Sequence, residues 1–409
     1  MLSVRREPYV ASGDRLISGP FVVVTTVAFF FFLYIGMLIP VVPLFIEGPL
    51  AAGELGIGIN VAVFATAAIL ARPVIGRIAD RRGRRLVIVV GALLAGVGGA
   101  LSGQVDSLAA LLPLRALTGI GEAAVFVGAA TLITDLSPRD RRAEGASYFS
   151  IAVFSGLGFG PILGELLLDD TMFERAFAAA GLSAFLGALI ALAAPARVVS
   201  PDDDPNGGES APNHGWRRFV HPAALEPGLV LACGVGGLMT FFAFVPEYSR
   251  SIGMSASGGL FLAYALVSLV IRIFGAKLPE RLGPRRMVTI ALTLIAAGLL
   301  LIAAVPRVPA MWVGAVLIGA GVAFNFPSLL ALTVNRVGDH ERARAVSSFT
   351  MFFEIGSAIG GLTIGAFAQI VGKQTGFLGG VASCLIGLWL LRTKVVPADA
   401  PDAGPMVPD

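Results

Sequence analysis

The chain has 409 residues, of which 56% are hydrophobic and 14% charged, with a formal net charge of +3. A soluble globular chain is nearer about 45–50% apolar and about 25% charged. Together with a mean hydropathy of +0.83, this excludes a cytosolic enzyme, a disordered chain and a nucleic-acid-binding domain.

Crossing about 30 Å of hydrocarbon takes about 20 mostly apolar residues. Twelve runs qualify, near residues 20–46, 57–79, 86–104, 108–134, 145–168, 174–195, 223–247, 257–279, 285–305, 308–335, 343–369 and 375–392. The runs are continuous rather than alternating, so they predict helices and not barrel strands. The first run is too long for a signal-peptide core and is expected to be retained. Placing the N-terminus in the cytoplasm puts 23 of the 30 Lys and Arg on the inner side and 4 outside, with Arg72, Arg115 and Arg272 inside spans. That asymmetry predicts cytoplasmic termini for a multi-pass protein of the cytoplasmic (inner) membrane.

The first span carries AFFFFLY (Ala28 to Tyr34), then Gly36, Pro40 and Pro43. One face of it can line a cavity, with Tyr34 the polar candidate. The next loop reads GRIADRRGRR, Gly76 to Arg85. There Gly76 permits close helix approach, Asp80 can face a helix N-terminus or a cation, and Gly83 allows a tight turn. Arg81, Arg84 and Arg85 can anchor to anionic lipid, or Arg84 and Arg85 can pair with an acid such as Asp135.

The fourth span reads LRALTGIGEAA, placing Arg115, Thr118, Gly119 and Glu122 on one helical stripe. Charged groups at mid-span are costly in lipid, so Arg115 and Glu122 are expected to face a cavity or each other. The glycine patterns here and in GAGVAF follow no strand, which removes a dinucleotide-binding reading. The fifth span carries Gly156, Gly160, Pro161, Gly164 and Glu165, a small-residue face with a proline kink; Glu165 is expected at the outer rim. Arg72 and Arg272 sit near span ends and are expected to snorkel outward.

The two halves align at an offset of 200 residues. Arg72 matches Arg272, Asp80-Arg81 matches Glu280-Arg281, and Gly83 matches Gly283. Gly119 and Gly121 match Gly319 and Gly321, Asp135 matches Asn335, and Gly156 and Gly160 match Gly356 and Gly360. The expected organisation is an N-terminal half (1–195), a polar Pro/Gly-rich cytoplasmic linker (196–222), a C-terminal half (223–392) and a cytoplasmic tail (393–409).

Cys233 and Cys384 lie in apolar runs and read as packing residues, and the three histidines lie in polar stretches. Any proton must therefore be carried by carboxylates. Glu122 and Glu354 of the eleventh span are the best placed, with Asn325 and Tyr34 as candidate cavity contacts. No nucleotide loop, catalytic triad or metal spacing appears, so no cofactor and no direct use of ATP are expected.

The Gly76–Arg85 loop resembles the signature loop of the major facilitator superfamily, G-x-x-x-D-R/K-x-G-R/K-R/K. AKLPERLGPRR from Ala276 resembles a degenerate second copy. Arg115, Gly119 and Gly121 resemble the family's R-x-x-x-G-x-G. Gly156, Gly160, Pro161 and Gly164 resemble the antiporter signature of drug:proton exporters, and GMLIPVVP resembles the start of the twelve-helix members. The resemblance covers essentially the whole chain. Two departures are Glu165, where a further glycine is usual, and a first span without the acid that several multidrug members carry.

The resemblance implies an all-α membrane protein of twelve transmembrane helices in two pseudo-symmetric six-helix bundles. It also implies that Asp80 locks the halves together in an outward-facing state. The expected function is proton-coupled export of a small organic molecule such as a drug, sugar or metabolite by alternating access. A monomer within the lipid bilayer suffices, with no nucleic-acid partner. A symporter or facilitator importing a nutrient, and a transport-inactive receptor or assembly factor, remain alternatives.

Overall fold

In the computed structural model, residues 9–10, 16–138, 141–168, 172–196, 198–199, 221–275, 278–337 and 339–395 are described. The first helix, α1 (Gly19–Glu47), starts where the Ser18 hydroxyl accepts the Phe21 N–H at 3.4 Å and a proline fills the first turn. It is followed by α2 (Gly53–Arg82), α3 (Arg84–Ser102), α4 (Leu108–Leu136), α5 (Arg142–Leu166) and α6 (Phe173–Ala191). The second half contains α7 (Pro222–Ser251), α8 (Gly258–Phe274), the short α9 (Leu278–Leu282), α10 (Pro284–Ala304), α11 (Val308–Val334), α12 (Asp339–Val371) and α13 (Lys373–Thr393). One two-residue parallel bridge pairs Tyr9–Val10 with Val198–Val199. Most of the expected linker, residues 200–220, and the tail from 396 lie outside the described residues.

Eleven of these helices are long and apolar enough to cross a membrane. The twelfth, α8, has 17 residues and stops earlier than the expected 257–279 run. The reason is local. Pro279 has no N–H to continue the ladder, and the Gly275 carbonyl instead accepts from Leu278 N at 2.9 Å. Apolar side chains on the outer surface are widely exposed, Phe274 by 81% and Ile370 by 84%, as expected for helices surrounded by hydrocarbon rather than water.

The duplication seen in the sequence is realised in the packing. α1 lies on α5 and α6, α3 on α4 and α6, and α2 on α4. In the second half α7 lies on α12 and α13, α10 on α11 and α13, and α8 on α11. The closest approaches repeat at the same offset. A Cβ added at Gly160 would stand 2.6 Å from Gly36, and one at Gly360 2.7 Å from Gly236. Gly119 lies against the Phe64 backbone, and Gly319 against that of Tyr264. Backbones can meet this closely only where no side chain intervenes.

Gly83 ends α2 and begins α3 at φ 94, ψ 149, and Gly283 holds the equivalent corner at φ 80, ψ 141. Only glycine occupies that region freely. Gly83→Ala is therefore expected to lower stability by about 1–3 kcal/mol, read as a reduced thermal midpoint of the purified protein. A midpoint equal to wild type would show that the corner relaxes.

Gly76 does not behave as expected, because a Cβ there would meet nothing within 4 Å. α2 packs at this end through Ala68, Ile75 and Ala79 onto Val87, Ala123 and Ala124, which leaves Gly76 on a free face.

The halves meet through α2 on α12 and α5 on α8, with α1 near α7. The ends of α1, α5 and α7 and the starts of α6 and α8 lie at one end of the bundle, the arginine-poor face. The Gly83 and Gly283 corners lie on the opposite, arginine-rich face.

Candidate functional site

A cavity of about 240 Å³ lies between the halves. Its walls come from α1 (Phe32, Ile35, Leu38, Ile39), α2 (Asn60, Phe64), α4 (Arg115, Glu122), α7 (Met239, Phe242) and α12 (Phe353, Glu354, Ser357), among others. Apolar side chains dominate this lining, and its ionisable groups are Arg115, Glu122 and Glu354.

Their geometry is specific. Arg72 Nη2 of α2 donates to Glu354 Oε1 of α12 at 2.6 Å, so one ion pair joins the two halves. The two side chains are 14% and 7% exposed. The Arg72 guanidinium also lies 5.8 Å from the Phe126 ring centre. Glu122 stands close enough for the charges of Glu354 and Arg72 to act on it. Its Oε2 is buried with no hydrogen-bond partner among the described residues. Arg115, a turn or two along α4, lies over the Phe64 ring at 5.0 Å. The two carboxyls, of Glu122 and Glu354, can bind and release protons at the seam between two bodies. That is the chemistry needed to couple protonation to relative motion, because the Arg72–Glu354 attraction depends on Glu354 carrying charge.

Arg72 and Arg272 do not snorkel outward, contrary to what their places near span ends suggest. Arg72 turns inward to Glu354, and Arg272 lies 4.4 Å over Phe154 of the opposite half. The two contacts are related by the 200-residue offset, since Phe154 occupies the place equivalent to Glu354. A buried cation finds a better environment against a carboxylate or an aromatic face than against hydrocarbon. The duplicated framework therefore carries the ion pair on one side alone.

Of the other sequence-selected residues, Tyr34 is fully buried against Gly99 and Phe31. Asn325 is buried beside Gly234. Neither borders the cavity; both fill gaps that glycines leave within one half. In the Gly76–Arg85 loop, Arg84 forms an ion pair with Asp135, and Arg85 Nη1 donates to the Ala194 carbonyl at 3.4 Å. Arg81 sits at the exposed end of α2, and the Asp80 side chain lies outside the described residues. Gly156, Gly160 and Gly164 of α5, flanking Pro161, all press on α1 between Phe29 and Met37. Glu165 is not a free rim group: it accepts hydrogen bonds from Ser257 and Gly258 of the other half.

Asn60, Phe64, Phe242, Phe353 and Ser357 were not selected from the sequence. Asn60 had a usable signal, a lone amide in an apolar span, whereas the phenylalanines are indistinguishable from lipid-facing ones without the packing. Among the described residues, no cluster of three or more His, Cys, Asp or Glu is placed to hold a metal ion.

Two duplicated helical bundles enclosing a cavity between them define a membrane transporter architecture. The chain belongs to the Major Facilitator Superfamily, whose family model matches residues 24–279 and 256–406. It is 27% identical to an uncharacterised MFS-type transporter, STM4428, of Salmonella typhimurium over 382 residues, covering 89% of this chain and 93% of that protein. It is also 27% identical over 238 residues to the quinolone resistance protein NorA of Staphylococcus aureus, covering 56% of this chain and 61% of NorA. Among solved structures, a bacterial homologue of the human lysosomal transporter Spinster, inward-facing and unoccupied, aligns with a TM-score of 0.74 at 18% identity over 93% of this chain and 97% of that one. A POT family transporter in complex with a thioalcohol-conjugated peptide aligns at a TM-score of 0.78 and 15% identity, over 95% and 99%.

Proposed function

We propose that this chain exports a small organic molecule with a largely apolar body in exchange for protons, by alternating access across the cytoplasmic membrane. The observation that carries the reading is the placement of Glu122 and Glu354 in one apolar cavity between the halves, with Glu354 paired to Arg72 of the opposite half. The arginine-rich face is the cytoplasmic one by the positive-inside rule. Substrate enters from that side, and its binding favours loss of a proton from Glu122. After the switch, protons arriving from outside occupy Glu122 or Glu354, weaken the polar contacts at the seam, and substrate leaves. The proton gradient supplies the energy, and no cofactor takes part.

The glycine-proline face of α5, set directly on α1, supports an exporter, because smooth backbone contact lets these helices slide. Similarity to a quinolone resistance protein supports a drug-like cargo.

The test uses everted membrane vesicles with an imposed pH gradient, comparing a fluoroquinolone with a neutral disaccharide. Uptake of the fluoroquinolone is expected when the vesicle interior is acid. Uptake favoured by the reversed gradient indicates an importer and overturns the proposal. Glu122→Gln is expected to lower gradient-driven uptake by about 5–150-fold, the span of a 1–3 kcal/mol coupling. Downhill exchange of labelled for unlabelled substrate should persist. Gradient-driven uptake at the wild-type rate would remove Glu122 from the proton path.

A further inference from the structure

We propose that Glu165 is the positioning residue that holds the arginine-poor side of the central pathway shut, by capping a helix of the opposite half. The inference rests on the alternating-access reading.

Glu165 lies one residue before the end of α5, in the N-terminal half. Its Oε1 accepts from Ser257 N at 2.7 Å and from Ser257 Oγ, and its Oε2 accepts from Gly258 N. Ser257 and Gly258 form the N-terminus of α8 in the other half. The first N–H groups of a helix lack intrahelical partners and carry its positive end. Ser257 does not cap this helix with its own side chain, so the cap comes from across the seam. Bonds from N–H groups to a carboxylate are roughly twice as strong as neutral ones. Parting α5 from α8 at this face breaks all three bonds at once and leaves the α8 donors unsatisfied.

The same device recurs, weakened, on the other side of the pseudo-twofold. Near the end of α12, Gln369 Oε1 accepts from Leu55 N in the first turn of α2 at 3.3 Å. α2 likewise has no side-chain cap of its own. Each half thus reaches from the end of its fifth span to the start of the other half's second span. One reach is made by a carboxylate with three bonds, the other by a neutral amide. Beneath both, the helices meet through small residues, Gly158 on Ala265 and Gly58 on Gly361. Such surfaces slide apart without interlocking, so the rim caps add directed bonds at this face to the Arg72–Glu354 pair deeper in the seam. Of the two caps, Glu165 makes the stronger one.

The test measures distances between spin labels at Met172 and Arg307, exposed residues of the two halves on this face, in the full-length protein reconstituted without substrate or pH gradient. The short distance should dominate in the otherwise unmodified protein. Glu165→Gly should raise the open-to-closed ratio by about tenfold. Glu165→Gln should raise it less, because its amide NH2 faces the Gly258 N–H while its oxygen still accepts from Ser257. Gln369→Glu should lower the ratio by strengthening the twin, and it keeps the proposal testable if Glu165→Gly fails to fold. Distance distributions that match wild type in folded Glu165→Gln and Gln369→Glu proteins would overturn the proposal. Because no transport is measured, an absence of proton-driven export would leave these distances unaffected and count against the exporter reading alone.

Discussion

Glu354→Gln is expected to uncouple the protein from the proton gradient and to destabilise it, and the two effects have one origin. The substitution leaves the Arg72 guanidinium, 14% exposed, without its counter-charge at the seam. Removing one partner of a buried pair costs about 3–5 kcal/mol. The glutamine carbonyl still accepts one hydrogen bond from Arg72, so the low end, about 3 kcal/mol, is expected. Unfolding of the purified protein in increasing SDS measures this.

The double variant Arg72→Gln/Glu354→Gln should recover a large part of that loss, because Arg72 then no longer stands as a cation without its Glu354 partner. Gradient-driven transport should be absent in both the single and the double variant, since neither retains an ion pair whose strength protonation can change. If the two substitutions are simply additive in stability, the pair is not a coupled unit and the switching role assigned to it fails. If Glu354→Gln still concentrates substrate against a gradient, Glu354 is not on the proton path.

Gly160→Val should be strongly damaging to the packing within one half. Its Cβ would stand 2.6 Å from the Gly36 backbone, and the reciprocal position at Gly36 is equally closed by Gly156 and Gly160. The obstacle is main chain on both sides, so no side chain can rotate away and α1 must move off α5. Overpacking a well-filled contact costs about 1–3 kcal/mol and occasionally more; backbone against backbone belongs to the upper part of that range. Gly187→Ala is the control, because a Cβ there comes no nearer than 3.7 Å to any neighbour. Size-exclusion profiles and thermal midpoints in detergent should show loss of folded protein for Gly160→Val and none for Gly187→Ala. Equal behaviour of the two would mean that α1 and α5 are not in tight backbone contact.

The residues show why some of this was legible in advance. Span positions followed from apolar length alone, except where Pro279 cut α8 short. Such a stop depends on which carbonyl finds another donor, and hydropathy carries no such information. Arg115 and Glu122 were recognisable because charge in a lipid span needs a reason. The same argument applied to Arg72, but its nearness to a span end suggested escape to the interface, and only the approach of α12 supplied a partner. Asn325 and Tyr34 were as polar as Asn60 and yet point into one half rather than between the halves. Helical periodicity fixes which residues share a face and leaves open what that face meets.

The sequence by itself determined the membrane environment, the number of passes, the duplication and the family, because each follows from composition, from spacing along one chain or from a contiguous motif. The tertiary structure decided which charges meet. Arg72 with Glu354, and Glu165 with the start of α8, are contacts between residues far apart in sequence and in different halves. Their energy depends on separation and on exclusion of water, quantities that exist only once the two bundles are set against each other.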